Sequence, residues 1–266
     1  MRISELIVLA YLAYLLIVAW AMTLPAAQRK TVTAVALADA FWIWWLSRQT
    51  GVFWLVIRDW QPVVQILLAY RLSGLFFRAP MPRIEAWLSS TDRALFDRFH
   101  LDAAIAHGPR AMLELLEGAY LSVYVVLPLG FAVALLIDPH LDVDRYWSVV
   151  TLAELGAYAV LPWVQTRPPR ALDDRMAIES RQLTLRDLND LVLRRGSIQV
   201  NTFPSGHAAG ALATSLAVGH ISPLAGLFFG LVALGIVAGS IVGRYHYAAD
   251  SIAGLIVAVL ALMIVS

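Results

Sequence analysis

The sequence predicts an all-α membrane protein, a bundle of about eight transmembrane helices. Of its 266 residues, 60% are hydrophobic and 15% are charged, and the mean hydropathy is +0.71. An average soluble domain is roughly half apolar and a quarter charged. Several apolar runs approach the roughly 20 residues that a helix needs to cross a bilayer. The absence of cysteine excludes disulfides and cysteine-ligated metal centres, and a net charge of +1 gives no reason to expect a nucleic-acid partner.

The first half of the chain contains three predicted spans. Residues 6–24 form an uninterrupted apolar run, and residues 31–46 end in a tryptophan-rich stretch typical of membrane interfaces. Residues 63–77 form the third span after a polar interruption. Residues 78–114 are amphipathic, which predicts helices that lie in the interface rather than crossing the membrane.

The second half contains five predicted spans and one polar segment, residues 165–203, in which regularly spaced leucines predict a short surface helix. The predicted spans are 118–137, 146–164, 205–220, 224–242 and 247–265. The span 205–220 covers only about 24 Å at a rise of about 1.5 Å per residue, so one of its ends lies below the membrane surface.

A short motif, Asn201-Thr202-Phe203-Pro204-Ser205-Gly206-His207, leads into the span 205–220. Serine is a common helix cap, and the first backbone N–H groups of a helix have no partner inside the helix. Such an N-terminus attracts anions. Since His207 lies in the first turn, the motif predicts an anion site with a histidine beside it.

The second motif extends from Arg244 to Asp250 at the start of the last span and contains His246. His246 and Asp250 are four residues apart, so they share one face of a helix. A carboxylate there can accept a hydrogen bond from one ring nitrogen, which fixes the tautomer and leaves the other nitrogen free to attack.

Both motifs lie on the same side of the membrane because the span 224–242 separates them, and the end of the span 146–164 joins them there. Two histidines and several arginines at one membrane edge suit phosphoryl transfer, in which one histidine attacks phosphorus and the other protonates the leaving oxygen.

Two other interpretations stay open. Each histidine can be structural, and His207, His246 and Asp250 can form a metal site with two histidines and one carboxylate.

Ionisable residues inside apolar segments are costly in lipid, so they are expected to face the bundle interior or water. These residues are Asp39, Arg71, Glu117 and Glu154. Structural pairing, for instance of Arg71 with Glu117 or Glu154, is one explanation. A transporter or channel that uses Asp39, Arg71 and Glu154 is the other, but it leaves the two histidines unexplained.

With these motifs the sequence resembles the type 2 phosphatidic acid phosphatase superfamily of membrane lipid phosphatases and phosphotransferases. The family's second motif is matched by Pro204-Ser205-Gly206-His207, the end of its third motif by His246 and Asp250, and the end of its first motif by Arg167-Pro168. The resemblance implies a six-helix core within a catalytic membrane domain at residues 59–266. Residues 1–58 would then form two additional N-terminal transmembrane helices.

The resemblance also implies roles for these residues. His246 would be the nucleophile that forms a phosphohistidine, Asp250 its orienting partner, and His207 the acid for the leaving group. Ser205 and the Gly206 backbone would contact the phosphate. Because no acidic cluster other than Asp250 lies near the motifs, we expect no metal and no cofactor.

Two cations of the family pattern are replaced in this chain. Val160 occupies the position of a lysine in the first motif, and Ser240 that of an arginine in the third. We predict that Arg167, Arg170 and Arg244 bind the phosphate, with Arg244 as the first substitute for the missing charge and Arg170 as the next. The missing cations and the His246-Tyr247 pair make the chain similar to the branch with inositol-phosphorylceramide synthase-like transferases.

The sequence therefore predicts a membrane phosphatase that hydrolyses a lipid phosphate or diphosphate, or alternatively a phosphotransferase that moves a phospho-headgroup to a lipid or sugar hydroxyl. Its partners are the bilayer and a lipid phosphate substrate, and its location is the cell membrane. The many arginines near the site would place that side in the cytoplasm. The resemblance implies an extracytoplasmic site, which we expect because phosphate-binding arginines bias the charge count.

Overall fold

The computed structural model describes residues 1–172, 177–201 and 203–266, and within them the chain is helical without any strand. The helices are α1 (Ile3–Ala21), α2 (Ala26–Leu46), α3 (Val52–Gly74), α4 (Pro82–Phe99), α5 (Leu101–His107), α6 (Arg110–Leu121), α7 (Val123–Ile137), α8 (Val143–Tyr158), α9 (Thr184–Gly196), α10 (Gly206–Gly219), α11 (Pro223–Val242) and α12 (Ala248–Val265). Short 3-10 helices occupy Pro169–Ala171 and Ala177–Arg181. The predicted all-α fold class is confirmed.

The protein is a multi-pass membrane bundle. Among the described residues, four helices (α1, α3, α11 and α12) are long and apolar enough to cross a membrane, and α6 with α7 makes a fifth if the bent pair is one span. Helices also occupy the predicted spans 31–46, 146–164 and 205–220, but α8 and α10 have only 16 and 14 residues. The number of eight spans therefore stays a prediction.

The predicted span 118–137 contains a sharp bend. The chain bends by 65° between α6 and α7, at Ser122. The Ser122 side chain donates a hydrogen bond to the Ala119 carbonyl at 2.6 Å, and the helix restarts at Val123. The break lies within an apolar stretch, so composition alone predicted a continuous span.

Helix α10 occupies the centre of the bundle and packs against α7, α8, α11 and α12. Its sequence is rich in glycine and alanine, and ten of its 14 residues are buried. A Cβ added at Gly226 of α11 would collide with the backbone of Gly219, so these small residues permit the close crossing of α10 and α11. Since other helices enclose α10, it does not need the length of a lipid-facing span.

The N-terminal helix α1 packs along α8. At one end the backbone N–H groups of Ile3 and Ser4 donate to the Asp144 carboxylate at 2.8 and 2.9 Å, and further along the Tyr14 hydroxyl donates to the Ala159 carbonyl at 2.5 Å. These contacts tie α1 to the helix that precedes the predicted site. The domain boundary at residue 58 stays a prediction.

Buried polar side chains join the first three helices. Arg58 donates to both oxygens of Glu5 at 2.6 and 2.8 Å. Asp39 accepts a hydrogen bond from Gln65 at 3.4 Å, and the two residues line a cavity between α2 and α3. Glu154 lines a different cavity. The structure therefore does not bring Asp39 and Glu154 together in one pathway.

Candidate active site

Three segments meet at one end of the bundle: the chain after α8, the chain before α10 and the connection between α11 and α12. Backbone hydrogen bonds tie them together. The Asn201 N–H donates to the Thr166 carbonyl at 2.9 Å, the Arg170 N–H to the Arg244 carbonyl at 3.1 Å, and the Ser205 N–H to the Asp250 carbonyl at 2.9 Å. All sequence-predicted site residues lie on these segments or in the first turns of α10 and α12.

The N-terminus of α10 forms one wall of the site. Ser205 is the N-cap, and its hydroxyl accepts a hydrogen bond from the Ala208 N–H at 3.3 Å. A Cβ added at Gly206 would collide with the Tyr158 ring, so glycine lets this end of α10 approach α8. The Ser205 hydroxyl is therefore used in capping α10. The backbone N–H groups at the N-terminus of α10 can bind an anion.

The two histidines face each other across a narrow cavity. The ring centroids of His207 and His246 are 5.5 Å apart, with the ring planes at 87°. The cavity is lined by Tyr70, Tyr120, Pro168, Arg170, Leu193, Ser197, Val200, His207, Tyr245 and His246. This juxtaposition puts a second imidazole within reach of any group bound at the first.

His246 has a closer partner than the one predicted from its spacing. Its Nδ1 lies 3.1 Å from Asn201 Oδ1 and 3.6 Å from Asp250 Oδ2. Asp250 Oδ2 instead accepts a hydrogen bond from the Tyr247 N–H at 3.0 Å, which caps α12. Asn201 thus holds His246 directly, and Asp250 supports the helix on which the motif ends.

Asn201 is a site residue to which sequence reasoning gave no role, although it begins the first motif. It is 1% exposed, and its Nδ2 donates to Thr166 Oγ1 at 3.0 Å, which turns Oδ1 toward His246. The available signal was its position in that motif, three residues before Pro204. With a proton on Nδ1 donated to Asn201, Nε2 of His246 is free to act as a nucleophile.

The structure places Arg170, and not Arg244, at the cavity that the two histidines line. Arg170 borders the cavity with both histidines, and its guanidinium carbon lies 5.4 Å from the Tyr245 ring centroid. Burial and the Arg170 charge lower the pKa of His246 to about 3, so its imidazole is neutral at physiological pH. Arg244, in contrast, pairs with Asp92 of α4 at 2.5 Å and lies over the Phe96 ring.

Arg167 is engaged at the rim of the site. Its Nε and one terminal nitrogen donate to the two oxygens of Glu85 at 3.1 and 2.9 Å, and its backbone N–H donates to the same carboxylate at 2.8 Å. These bonds hold the pKa of Glu85 below its usual value. Arg167 is 43% exposed in its side chain, so it remains open to solvent at the membrane edge.

A buried hydrogen-bond network supports the back of the cavity. Glu117 accepts from Arg186 at 3.2 Å, from Asn189 at 2.7 Å and from the Tyr245 hydroxyl at 2.6 Å. Tyr245 also stacks on Tyr120, with ring centroids 4.1 Å apart. The network fixes the residue directly before His246.

The predicted pairing of Arg71 with Glu117 is wrong, because Arg186 of α9 takes that carboxylate. Arg71 of α3 is exposed and lines the same cavity as Glu154, but among the described residues no ion pair joins the two side chains. Hydropathy could not foresee this outcome, since Arg186 belongs to a polar segment distant in sequence from Glu117.

The metal-site interpretation requires His207, His246 and Asp250 to converge on one point. Within residues 1–172, 177–201 and 203–266, no group of three or more histidine, aspartate and glutamate side chains is arranged to hold a metal ion. Asp250 directs one oxygen to the Tyr247 N–H, as described above, and the two histidine rings face each other at 87°.

A family model described as the PAP2 superfamily matches residues 86–264, which is more than half of the chain. The matched range includes both motifs, the Arg167-Pro168 pair and every helix from α5 to α11. Comparison with curated proteins and with solved structures gave no match. The similarity to the inositol-phosphorylceramide synthase-like branch stays a prediction.

Proposed function

Because the chain belongs to the PAP2 superfamily, we propose that it hydrolyses a lipid phosphate or diphosphate through a phosphohistidine intermediate. Family membership supports a membrane enzyme of the phosphatase or phosphotransferase type. The observation that carries the finer proposal is the facing pair His207 and His246, 5.5 Å apart between ring centroids, with Arg170 on the same cavity.

In the first step, Nε2 of His246 attacks phosphorus while Nδ1–H is held by Asn201. The bond between phosphorus and the lipid oxygen breaks, and His207 gives its proton to that oxygen. The negative phosphate favours the imidazolium form of His207 in the complex. Arg170 and the N-terminus of α10 stabilise the charge on the remaining oxygens.

In the second step, water attacks the phosphohistidine. His207, now neutral, takes a proton from the water, the bond between nitrogen and phosphorus breaks, and inorganic phosphate leaves. If a lipid or sugar hydroxyl replaces water, the same steps transfer the phosphoryl group to that alcohol. No cofactor takes part in this scheme, and it needs no metal ion.

Phosphoenzyme trapping tests the proposal. Purified protein mixed briefly with ³²P-labelled phosphatidate should carry acid-labile, alkali-stable label and release inorganic phosphate, both unaffected by a chelator. His246→Ala should abolish label and turnover, while His207→Ala should slow label formation because the leaving oxygen loses its proton donor. Near-normal turnover in His246→Ala would contradict the mechanism. Loss of activity in chelator with recovery on adding a divalent ion would instead favour the metal site.

We propose further that the site faces the extracytoplasmic side of the cell membrane. Because the chain contains no cysteine, a single introduced cysteine is a clean reporter. Asp187→Cys on the exposed face of α9 should react with an impermeant thiol reagent in intact cells, whereas His140→Cys, between α7 and α8, should be protected. The opposite pattern would place the site in the cytoplasm.

A further inference from the structure

A cavity of about 290 Å³ extends from His207 toward the lipid-facing surface of the bundle. Helix α3 contributes Ile66 and Leu67, and helix α7 contributes Leu127 and Pro128 to its walls. Leu67 is 57% exposed, so the cavity reaches the outer surface between these two helices. Tyr70, Arg71 and Ser197 add polar groups at its walls, but most of the lining is apolar and suits the apolar part of a lipid.

The cavity lies on the leaving-group side of the site. His207 borders both this cavity and the narrow cavity described above. Of these two cavities, His246 lines only the narrow one. In the proposed mechanism His207 protonates the leaving oxygen, and that oxygen belongs to the lipid alcohol. The alcohol half of the substrate therefore extends past His207 into the apolar cavity.

One buried acidic residue in this apolar cavity has no role in the steps above. Glu154 of α8 is 3% exposed, and among the described residues its Oε2 has no hydrogen-bond partner. A Cβ added at Gly206 would lie 3.0 Å from Oε2, and one added at Gly210 would collide with the carboxyl group. Glycines at the start of α10 therefore make room for Glu154.

A carboxyl oxygen buried without a hydrogen bond is costly, so its retention in a membrane cavity calls for a partner. Tyr158 interacts with the same carboxyl group, and it also lines the cavity. A carboxyl group in either protonation state can accept a hydrogen bond from a hydroxyl. A hydroxyl group that arrives with the ligand can donate to the carboxylate or accept from the protonated carboxyl group, so it supplies the missing partner in either state.

We propose that Glu154 binds a free hydroxyl of the lipid alcohol, which makes hydroxyl-bearing lipid phosphates the preferred substrate class. This proposal rests on the proposed function, because it identifies the cavity as the site of the leaving alcohol. A lipid phosphate without such a hydroxyl leaves the carboxyl group unpaired in the complex, and a site built around a hydrogen bond discriminates against an analogue that lacks it.

The test compares lysophosphatidate, which has a free hydroxyl beside the phosphoester carbon, with its deoxy analogue of the same chain length. The measured quantity is the ratio of the two kcat/KM values in detergent micelles. The wild-type ratio should be at least about tenfold in favour of the hydroxyl. Glu154→Leu should bring the ratio close to one, and Glu154→Gln, which retains a carbonyl acceptor, should keep most of the preference.

Thr151→Val is the matched control. Thr151 lies one turn before Glu154 on α8, is fully buried, and has a hydroxyl without a hydrogen-bond partner among the described residues, yet it does not line the cavity. Its variant should keep the wild-type ratio. If the wild-type protein turns over both lipids with a ratio near one, this proposal is wrong and the proposed function stands. That result does not depend on the folding of any variant. Turnover of neither lipid by folded wild-type protein overturns the proposed function as well.

Discussion

Replacement of Arg170 tests which arginine provides the positive charge that binds the phosphate. Val160 and Ser240 cannot provide it, although they occupy the positions of the family's two cations. Arg170 borders the cavity of both histidines and contacts the Tyr245 ring through a cation–π arrangement. Removing a donor to a developing phosphate charge typically costs about 10²–10³ in rate, while the cation–π contact of the partly buried Arg170 contributes about 0.5–2 kcal/mol to stability. Arg170→Ala should therefore lower kcat by roughly a hundredfold or more in protein that still folds.

Arg244→Ala is the matched control, because it removes the same side chain from a neighbouring segment. Arg244 pairs with Asp92, which is 1% exposed and also accepts a hydrogen bond from the Ala248 N–H at 2.8 Å. Removing one partner of a buried ion pair costs about 3–5 kcal/mol. Arg244→Ala should thus lower stability strongly but reduce the turnover of the folded fraction by less than about tenfold, since its guanidinium is not directed at the cavity.

The assay combines phosphate release from labelled phosphatidate with chemical denaturation of the same detergent-solubilised samples. Arg170→Lys should recover only part of the rate, because lysine restores the charge without the planar fork of donors. Full turnover in Arg170→Ala, or a larger rate loss in stable Arg244→Ala, would refute the assignment of the phosphate charge to Arg170.

Two further predictions concern His246. Asn201→Ala should lower kcat more than KM, because Nδ1 of His246 loses its 3.1 Å partner, and Asn201→Asp should restore part of the rate; equal kcat in wild type and Asn201→Ala would exclude a positioning role. The pKa of His246, lowered to about 3 by burial and Arg170, predicts an imidazole that stays neutral well below the usual titration point near 6.5. Because the unfolded chain binds this proton first, the contribution of His246 to stability is present above about pH 6.5 and decreases as the pH falls toward 3. NMR titration, with His246→Asn to assign the resonance, measures this pKa directly, and protonation near pH 6.5 would contradict it.

Much of the fold could be predicted because its signals are local. Apolar runs identified membrane helices, and the prediction placed helices where α1, α2 and α10 to α12 are found. The predicted start of the third span at residue 63 is wrong, because α3 begins at Val52 and continues through Arg58 and Asp59. The bend at Ser122 escaped prediction because apolar residues continue on both sides of it. Whether α8 and α10 count as full spans depends on their enclosure by other helices, which composition does not encode.

The candidate site divides in the same way. Pro204-Ser205-Gly206-His207 and the spacing of His246 and Asp250 identified the two histidines, because the capping of α10 and the first turn of α12 are short-range features. The partner of His246 could not be predicted from such short-range features. Asn201 reaches it only because its own backbone pairs with Thr166, a contact that joins the chain after α8 to the chain before α10.

Hydropathy and helix-start chemistry act over a few residues, so the sequence alone indicates a membrane environment, a helical fold and the two motif histidines. Which arginine borders the histidine cavity depends instead on long-range packing. Arg170 and Arg244 both lie near recognised motifs, yet one borders the cavity and the other pairs with Asp92. The direction of a long side chain follows from the helix packed against it, here α4, and that helix is about 150 residues away in sequence from Arg244.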